Sequence, residues 1–127
     1  MKIGVIGVGT VGTAVLEGLK AHHEVVGYDN QKPQYCKNVH KLKDMEVIFL
    51  CLPTPTQSNL QDRSAIQRTL VILQDMEYKG IVVIKSTVLP GICEKFNKNM
   101  NLNVVHCPEF LSADTAVQDF KDQKEII

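Results

Sequence analysis

The first twelve residues constrain this chain more than any other segment, because an apolar run leads directly into three glycines at fixed spacing. After residues 2–6, Gly7, Gly9 and Gly12 form a Gly-x-Gly-x-x-Gly motif that passes into a helical pattern. The first glycine permits a tight turn, the second lets the backbone approach a pyrophosphate, and the third lets the helix pack close to the strand. We therefore predict a dinucleotide site with its phosphates at the helix N-terminus, where free N–H groups and the helix dipole favour anions.

Asp29 supports this prediction independently. A second apolar segment, residues 24–28, ends just before Asp29, about 20 residues after the motif, where an acidic side chain can reach a ribose. A carboxylate there can accept hydrogen bonds from both ribose hydroxyls and repels a 2′-phosphate, so NAD is predicted rather than NADP. The alternative is that the glycines are simple turns and that Asp29 is a solvated strand end.

Length and charge restrict the class of protein. The chain has 127 residues, enough for one domain that buries about two-thirds of its unfolded surface. The 14 basic and 14 acidic side chains cancel and are scattered, which predicts neither a nucleic-acid partner nor a membrane partner. No apolar run approaches the roughly 20 residues of a membrane span, and no signal peptide is recognisable. We expect a cytoplasmic protein with a small-molecule site.

The four cysteines predict no metal site. They are far apart and form no C-x-x-C pair, which argues against zinc binding and against a redox motif. Three of them fall in or beside apolar segments, so we expect buried free thiols. The cysteines are Cys36, Cys51, Cys93 and Cys107.

Apolar strand candidates alternate with helical or loop segments along the chain. This alternation predicts an α/β fold: a Rossmann-type, doubly wound parallel sheet in a single domain. Residues 124–127 resemble the start of a sixth strand, so the chain is expected to stop inside that element. The other strand candidates are residues 2–7, 24–28, 47–52, 81–85 and 103–107.

Three helices are predicted from periodicity and capping. The first follows the glycine motif and buries one stripe, formed by Val11, Ala14, Val15 and Leu19. The second runs from Asp62 as N-cap to the stop at residues 79–80, and the third from about residue 90 to residue 98. Between residues 29 and 46, the polar sequence leaves room for a turn and one helical turn.

Three distinctive segments leave the carboxyl ends of strands, where ligands bind in open α/β sheets. Residues 51–56 combine two stiffening prolines with threonine hydroxyls, residues 85–91 carry Ser86 and Thr87, and residues 106–111 place Glu109 at the mouth of the crevice. Each segment also has a simpler reading, as a rigid loop, N-cap hydroxyls or a solvent-facing carboxylate.

In order and spacing, these motifs resemble the N-terminal NAD-binding domain of the UDP-glucose/GDP-mannose dehydrogenase family, the UDP-glucose 6-dehydrogenases above all. The resemblance covers nearly the whole chain and is more specific than the glycine motif alone. The segments that carry it are Gly7–Gly12, Asp29, Pro53–Thr56, Lys85–Val88 with Pro90-Gly91, Pro108–Leu111 and Ala116–Phe120.

The resemblance implies a two-step oxidation of a sugar-nucleotide C6 alcohol to a carboxylate, with two NAD reduced and an aldehyde held on a cysteine as a thiohemiacetal. It implies that Thr87 holds a catalytic water near the nicotinamide, that Glu109 performs acid–base chemistry at the sugar, and that Phe110 and Leu111 line the substrate side. The implied cofactor-binding residues are Gly7, Val8, Gly9, Thr10, Val11, Gly12, Asp29, Leu52, Pro53, Thr54, Pro55, Thr56, Ser86 and Thr87.

The chain departs from the family pattern in several places. Ala113 stands where the family has a second acidic residue, and the segment after Asp29 is short. The nucleophilic cysteine, its lysine and asparagine partners, the dimer-forming helix and the nucleotide-sugar domain would all lie beyond residue 127. We therefore expect the NAD-binding half of an enzyme, either as a truncated product or as one subunit of a split enzyme whose partner is a separate C-terminal half. Two alternatives stay open: a non-catalytic NAD-binding module, and a small NAD oxidoreductase with Cys107 as nucleophile.

Overall fold

The predicted alternation of strands and helices is confirmed. The computed structural model describes residues 1–124; residues 125–127, which carry most of the predicted sixth strand, lie outside the described part. No helix in residues 1–124 is long and apolar enough to cross a membrane. In chain order the elements are β1 (Lys2–Ile6), α1 (Thr10–Leu19), β2 (Glu24–Tyr28), a 3-10 helix (Cys36–Asp44), β3 (Val47–Leu50), β4 (Thr56–Gln57), β5 (Leu60–Gln61), α2 (Ser64–Asp75), β6 (Ile81–Ile84), α3 (Ile92–Asn99), β7 (Asn103–His106) and α4 (Ala116–Asp122).

Five strands form one parallel sheet in the order β2-β1-β3-β6-β7. The chain moves from β1 to β2 on one side and then crosses to β3 on the other, so the strand order reverses at β1. Ligands of open α/β sheets bind at such a switch point, beyond the carboxyl ends of the strands. The predicted doubly wound α/β sheet is therefore confirmed, and its topology places the ends of β1 and β3 side by side.

The central strands β1, β3 and β6 are mostly buried, as apolar strands of a parallel sheet require. The edge strands are less enclosed: β2 is largely half-buried, and Val104 is the buried residue of β7. The predicted stripe on α1 is only partly enclosed, because Ala14 and Val15 are buried whereas Val11 and Leu19 are half-buried. The fully buried side chains in the strands and in α2 include Val5, Ile48, Leu50, Val82, Ile84, Ile66, Leu70 and Leu73.

Several predicted strand ends were one or two residues too long. The third strand ends at Leu50 because the backbone then turns toward a neighbouring loop. Cys51 N–H makes a last bond to the Ile6 carbonyl at 2.8 Å, but the next N–H, that of Leu52, donates to Ser86 Oγ at 3.0 Å. A serine in the adjacent loop therefore ends this strand.

The boundaries of α2 also differ from the prediction. The helix starts two residues after Asp62, which is not its N-cap, although Asp62 Oδ1 accepts a hydrogen bond from Ser64 N–H at 2.9 Å. It ends at Asp75 instead of residues 79–80. Glu77 adopts a left-handed φ of 55°, and Tyr78 N–H bonds the Leu73 carbonyl at 3.0 Å, which together form a Schellman end.

Two connections contain more structure than predicted. Residues 36–44 form a nine-residue 3-10 helix rather than a single turn, because Leu42, 1% exposed, enters the core. The segment after β3 forms a small hairpin, β4–β5, whose turn residues Ser58 and Asn59 have φ of 49° and 63°. Two successive positive φ values are typical of a type I′ turn.

Candidate functional site

The glycine loop has the geometry that the motif predicted. Gly7 has φ of +87°, and a Cβ there would lie 2.5 Å from the Cys51 carbonyl oxygen. A Cβ at Gly12 would lie 1.8 Å from the Gly7 carbonyl oxygen. Any side chain at either position would collide with backbone, so the loop can take this form only with glycine at both.

Gly9 faces open space and leaves room for a ligand. A Cβ at this residue would meet nothing within 4 Å. Gly9 is also the N-cap of α1 and has no side chain to satisfy the first-turn N–H groups, which no intrahelical carbonyl can reach. Exposed donors at the positive end of a helix dipole form a site for a phosphate.

Asp29 lies against this loop. Its Oδ2 accepts a hydrogen bond from Val8 N–H at 2.9 Å, and its Oδ1 accepts one from Gln31 N–H at 2.9 Å. A carboxylate has about four lone-pair sites, so each oxygen can accept one further bond. The loop, the helix end and Asp29 together therefore fit the diphosphate and one ribose of a dinucleotide such as NAD.

Hydrogen bonds join the loops after β3 and β6. Ser86 Oγ donates to the Leu52 carbonyl at 2.5 Å, while accepting from the same residue's N–H. Thr54 Oγ1 and Gln61 Nε2 both donate to the Thr87 carbonyl, at 2.8 and 3.0 Å. The Thr87 side chain is exposed at this junction. Four of the predicted cofactor-binding residues are thus joined in pairs by hydrogen bonds, Leu52 to Ser86 and Thr54 to Thr87. Three others, Pro53, Pro55 and Thr56, are exposed.

A cleft of about 590 Å³ separates the glycine loop from the segment that precedes and begins α4. Phe120 of α4 packs on α1 at Gly18, where a Cβ would come within 2.2 Å of its ring. This contact holds Ala113 and Asp114 across the cleft from Gly9. The lining residues are Gly9, Thr10, Thr13 and the six residues from Ala113 to Gln118.

Glu109 is not a free carboxylate at the mouth of the crevice, as the sequence had suggested. Its Oε2 lies 2.8 Å from Lys85 Nζ, and the two side chains are only 4% and 3% exposed. Lys85 Nζ also lies 3.5 Å from the Cys107 sulfur and 3.5 Å from the Pro108 carbonyl. The ammonium compensates the buried carboxylate and fastens the loop after β7 to the end of β6.

Lys85 is a site residue that the sequence reasoning did not identify. It follows the four apolar residues of β6 and was interpreted as a strand end and as part of the Lys85–Val88 motif, with no role in the site. A signal was nevertheless present: a lysine that directly continues a buried strand needs an anionic partner, and Glu109 was the nearest carboxylate on the adjacent loop. Lys85 is 5% exposed, as buried as the core around it.

The predicted substrate-side residues differ in exposure. Phe110 is 74% exposed, which is unusual for a large aromatic side chain, whereas Leu111 is half-buried. Both follow Glu109 on the loop after β7. The predicted catalytic, cofactor-side and substrate-side residues of the three loops therefore all leave the same edge of the sheet, the edge that carries the glycine loop.

The cysteines are free thiols but are less buried than predicted. Cys36, the first residue of the 3-10 helix, is exposed, and Cys51, Cys93 and Cys107 are partly buried. Burial raises the pKa of Cys51 to about 12, although the nearby Lys85 ammonium lowers it in part. Cys51 is therefore a protonated, unreactive thiol beneath the glycine loop.

The Cys51 thiol predicts a loss of stability at alkaline pH. Its pKa is 9.0 ordinarily and about 12 in the folded chain, so between these values the unfolded chain releases a proton that the folded chain keeps. The free energy of unfolding should therefore fall by about 1 kcal/mol between pH 8.5 and pH 10. Urea unfolding of the wild type and Cys51→Ala measures this; an equally steep decline in the variant would contradict it.

Within residues 1–124, no three His, Cys, Asp or Glu side chains are grouped so that they could hold a metal ion.

Comparisons with known proteins find a family model and relatives that match this chain. Residues 35–127 match the family model described as UDP-glucose/GDP-mannose dehydrogenase family, NAD binding domain. An uncharacterized protein of Methanocaldococcus jannaschii, MJ1054, is 34% identical over 88% of this chain and 13% of its own length. A UDP-glucose 6-dehydrogenase of Campylobacter jejuni is 29% identical over 94% of this chain and 39% of its own length.

Solved structures show the same fold. A UDP-D-ManNAc dehydrogenase from Pyrococcus horikoshii superposes with a TM-score of 0.80 at 21% identity, over 94% of this chain and 38% of that one. A GDP-mannose dehydrogenase from Pseudomonas aeruginosa gives 0.75 at 24% identity, with the same coverage. This chain thus spans well under half of the length of these relatives. Since the family model matches most of its residues, the chain belongs to the UDP-glucose/GDP-mannose dehydrogenase family, whose NAD-binding domain it represents.

Proposed function

We propose that this chain supplies the NAD-binding half of a nucleotide-sugar dehydrogenase that oxidises the C6 alcohol of UDP-glucose, or of a related UDP- or GDP-hexose, to the carboxylate with two NAD. The observation that carries the proposal is the hydrogen bond from Val8 N–H to Asp29. It joins the phosphate end of the site to its ribose end, with the loops after β3, β6 and β7 at the same edge of the sheet.

In this proposal, the chain's own residues bind and orient. The N–H groups of Gly9, Thr10 and Val11 hold the diphosphate, and Asp29 accepts the ribose hydroxyls. The loop from Leu52 to Thr56, fixed by Ser86, lies on the nicotinamide side. NAD, when bound there, supplies the acceptor for the hydride that leaves the sugar carbon.

Thr87 and Glu109 would act at the reacting end. The exposed Thr87 hydroxyl can both donate and accept, as the positioning of a water requires. Glu109 would take the proton that leaves the sugar hydroxyl as the hydride leaves its carbon. In the free chain this carboxylate is bound to Lys85, so contact with a sugar requires Glu109 to leave or share that ion pair.

Most of the residues that select the sugar nucleotide would belong to the part of the enzyme that this chain does not contain. The chain spans 39% of the length of the Campylobacter relative. The named relatives act on UDP-glucose, GDP-mannose and UDP-D-ManNAc. A direct test mixes this chain with the remaining part of the Campylobacter relative and assays NADH production with each of the three sugar nucleotides. Turnover with one of them supports the proposal. No turnover with any, when the intact relative is active alongside, contradicts it.

One contact favours a second candidate, the small oxidoreductase with Cys107 as nucleophile. Lys85 Nζ lies 3.5 Å from the Cys107 sulfur, and a nearby ammonium stabilises a thiolate. The same ammonium is already paired with Glu109 at 2.8 Å, so much of its charge is compensated. This candidate is therefore second to the nucleotide-sugar dehydrogenase.

Replacing Asp29 with alanine should weaken NADH binding at least tenfold. The variant loses charged hydrogen bonds to the ribose, each of which contributes about 1.5 to 3 kcal/mol. Calorimetric titration of wild type and Asp29→Ala measures the change. Asp44→Ala is the control, because Asp44 is an exposed acid at the end of the 3-10 helix. Equal weakening in both variants would refute a ribose contact by Asp29.

A further inference from the structure

Lys32 lies beside the glycine loop and has no role in the site described so far. Its ammonium donates a hydrogen bond to the Val8 carbonyl, and its own N–H bonds the Asp29 carbonyl at 3.4 Å. The lysine thus follows Asp29 by three residues and reaches back over the loop that binds phosphate in the proposed function.

No carboxylate within residues 1–124 forms an ion pair with Lys32. Across residues 1–124, the ion pairs within 4.0 Å are Lys20–Glu17 and Lys85–Glu109. Although Asp29 is close in sequence, its two oxygens are directed to the N–H groups of Val8 and Gln31. Lys32 is only half exposed, so part of its hydration is lost without an anion in return. Such an ammonium gains by meeting a phosphate.

We propose that Lys32 is a binding residue for the diphosphate of the dinucleotide. An ammonium has three donors, of which the Val8 carbonyl takes one, and its flexible stem allows it to follow a phosphate. Lys32 thereby adds a point charge to the N–H groups of α1. The inference rests on the proposed location of NAD. Its claim is narrower: Lys32 contacts the diphosphate, and contacts neither the adenine nor the ribose.

The test compares ligands that differ in their phosphates. Lys32→Gln keeps a polar side chain but removes the charge, and Lys37→Gln is the matched control, because Lys37 is an exposed lysine in the 3-10 helix. NADH, NADPH, ADP and adenosine are titrated calorimetrically into each variant. We expect Lys32→Gln to weaken NADH, NADPH and ADP each by about tenfold, to leave adenosine within about twofold, and Lys37→Gln to change none of them.

Several outcomes would overturn the assignment of Lys32. Equal weakening of adenosine and ADP would mean contact with the nucleoside, and a larger effect on NADPH than on NADH would mean contact with the 2′-phosphate. Unchanged ADP affinity would mean no contact at all. If wild type binds neither NADH nor ADP, the proposed NAD site itself fails, which is distinguishable from failure of Lys32 alone.

Discussion

The chain on its own is expected to produce no NADH from UDP-glucose above the rate measured without protein. The second oxidation needs a thiolate to capture the aldehyde, and the resemblance places that cysteine in the part of the relatives beyond this chain. Closure of two domains over a substrate contributes orientation and exclusion of water worth on the order of 7 to 11 kcal/mol. A single domain should therefore leave the rate near background.

The assay follows NADH absorbance for wild type, Cys107→Ser and Cys36→Ser, with Cys36 as the exposed control thiol. Absence of turnover in all three is the predicted result. Sustained turnover by wild type that is lost in Cys107→Ser but kept in Cys36→Ser would overturn the half-enzyme interpretation. It would establish the small oxidoreductase in its place.

Replacing Lys85 with methionine should lower the free energy of unfolding by about 3 to 5 kcal/mol. The substitution removes one partner of a buried ion pair and leaves the Glu109 carboxylate without compensation, which costs far more than the pair itself contributes. Most of the lysine stem is replaced by methionine, so lost packing is a minor part of the effect. Urea unfolding measures the difference between the variant and wild type.

Two further variants separate charge from packing. The double variant Lys85→Met with Glu109→Gln has no buried charge and should recover most of the lost stability. Lys20→Met removes a surface ion pair whose lysine side chain is 56% exposed, and should change stability by less than about 1 kcal/mol. If the double variant is as unstable as Lys85→Met, an unpaired carboxylate is not the cause.

The elements that could be predicted are those set by local pattern. The glycine motif defined its turn and its close helix contact because any Cβ at Gly7 or Gly12 meets backbone. The alternation of apolar segments predicted the parallel sheet, since its central strands are buried and therefore apolar along their length. Strand ends were less accurate, because the end of β3 depends on Ser86, which is 34 residues from Leu52.

The buried ion pair could not be derived from local pattern. The pair forms because β6 and β7 are neighbours in the sheet. This brings together Lys85 and Glu109, which are 24 residues apart in the sequence, and buries both side chains. The same applies to Gln61, which bonds Thr87 only because an unpredicted hairpin brings it there. The 3-10 helix was predicted too short, as one helical turn, because two apolar residues, Val39 and Leu42, give only a weak helical period in a polar segment.

The most direct test of the central claim is a calorimetric comparison of NADH and NADPH on the wild-type chain. The claim is that the glycine loop and Asp29 form one NAD site at the switch point of the sheet. It predicts that NADH binds, and that NADPH binds at least tenfold more weakly because its 2′-phosphate meets the Asp29 carboxylate. Equal affinities, or no binding of NADH, would contradict it.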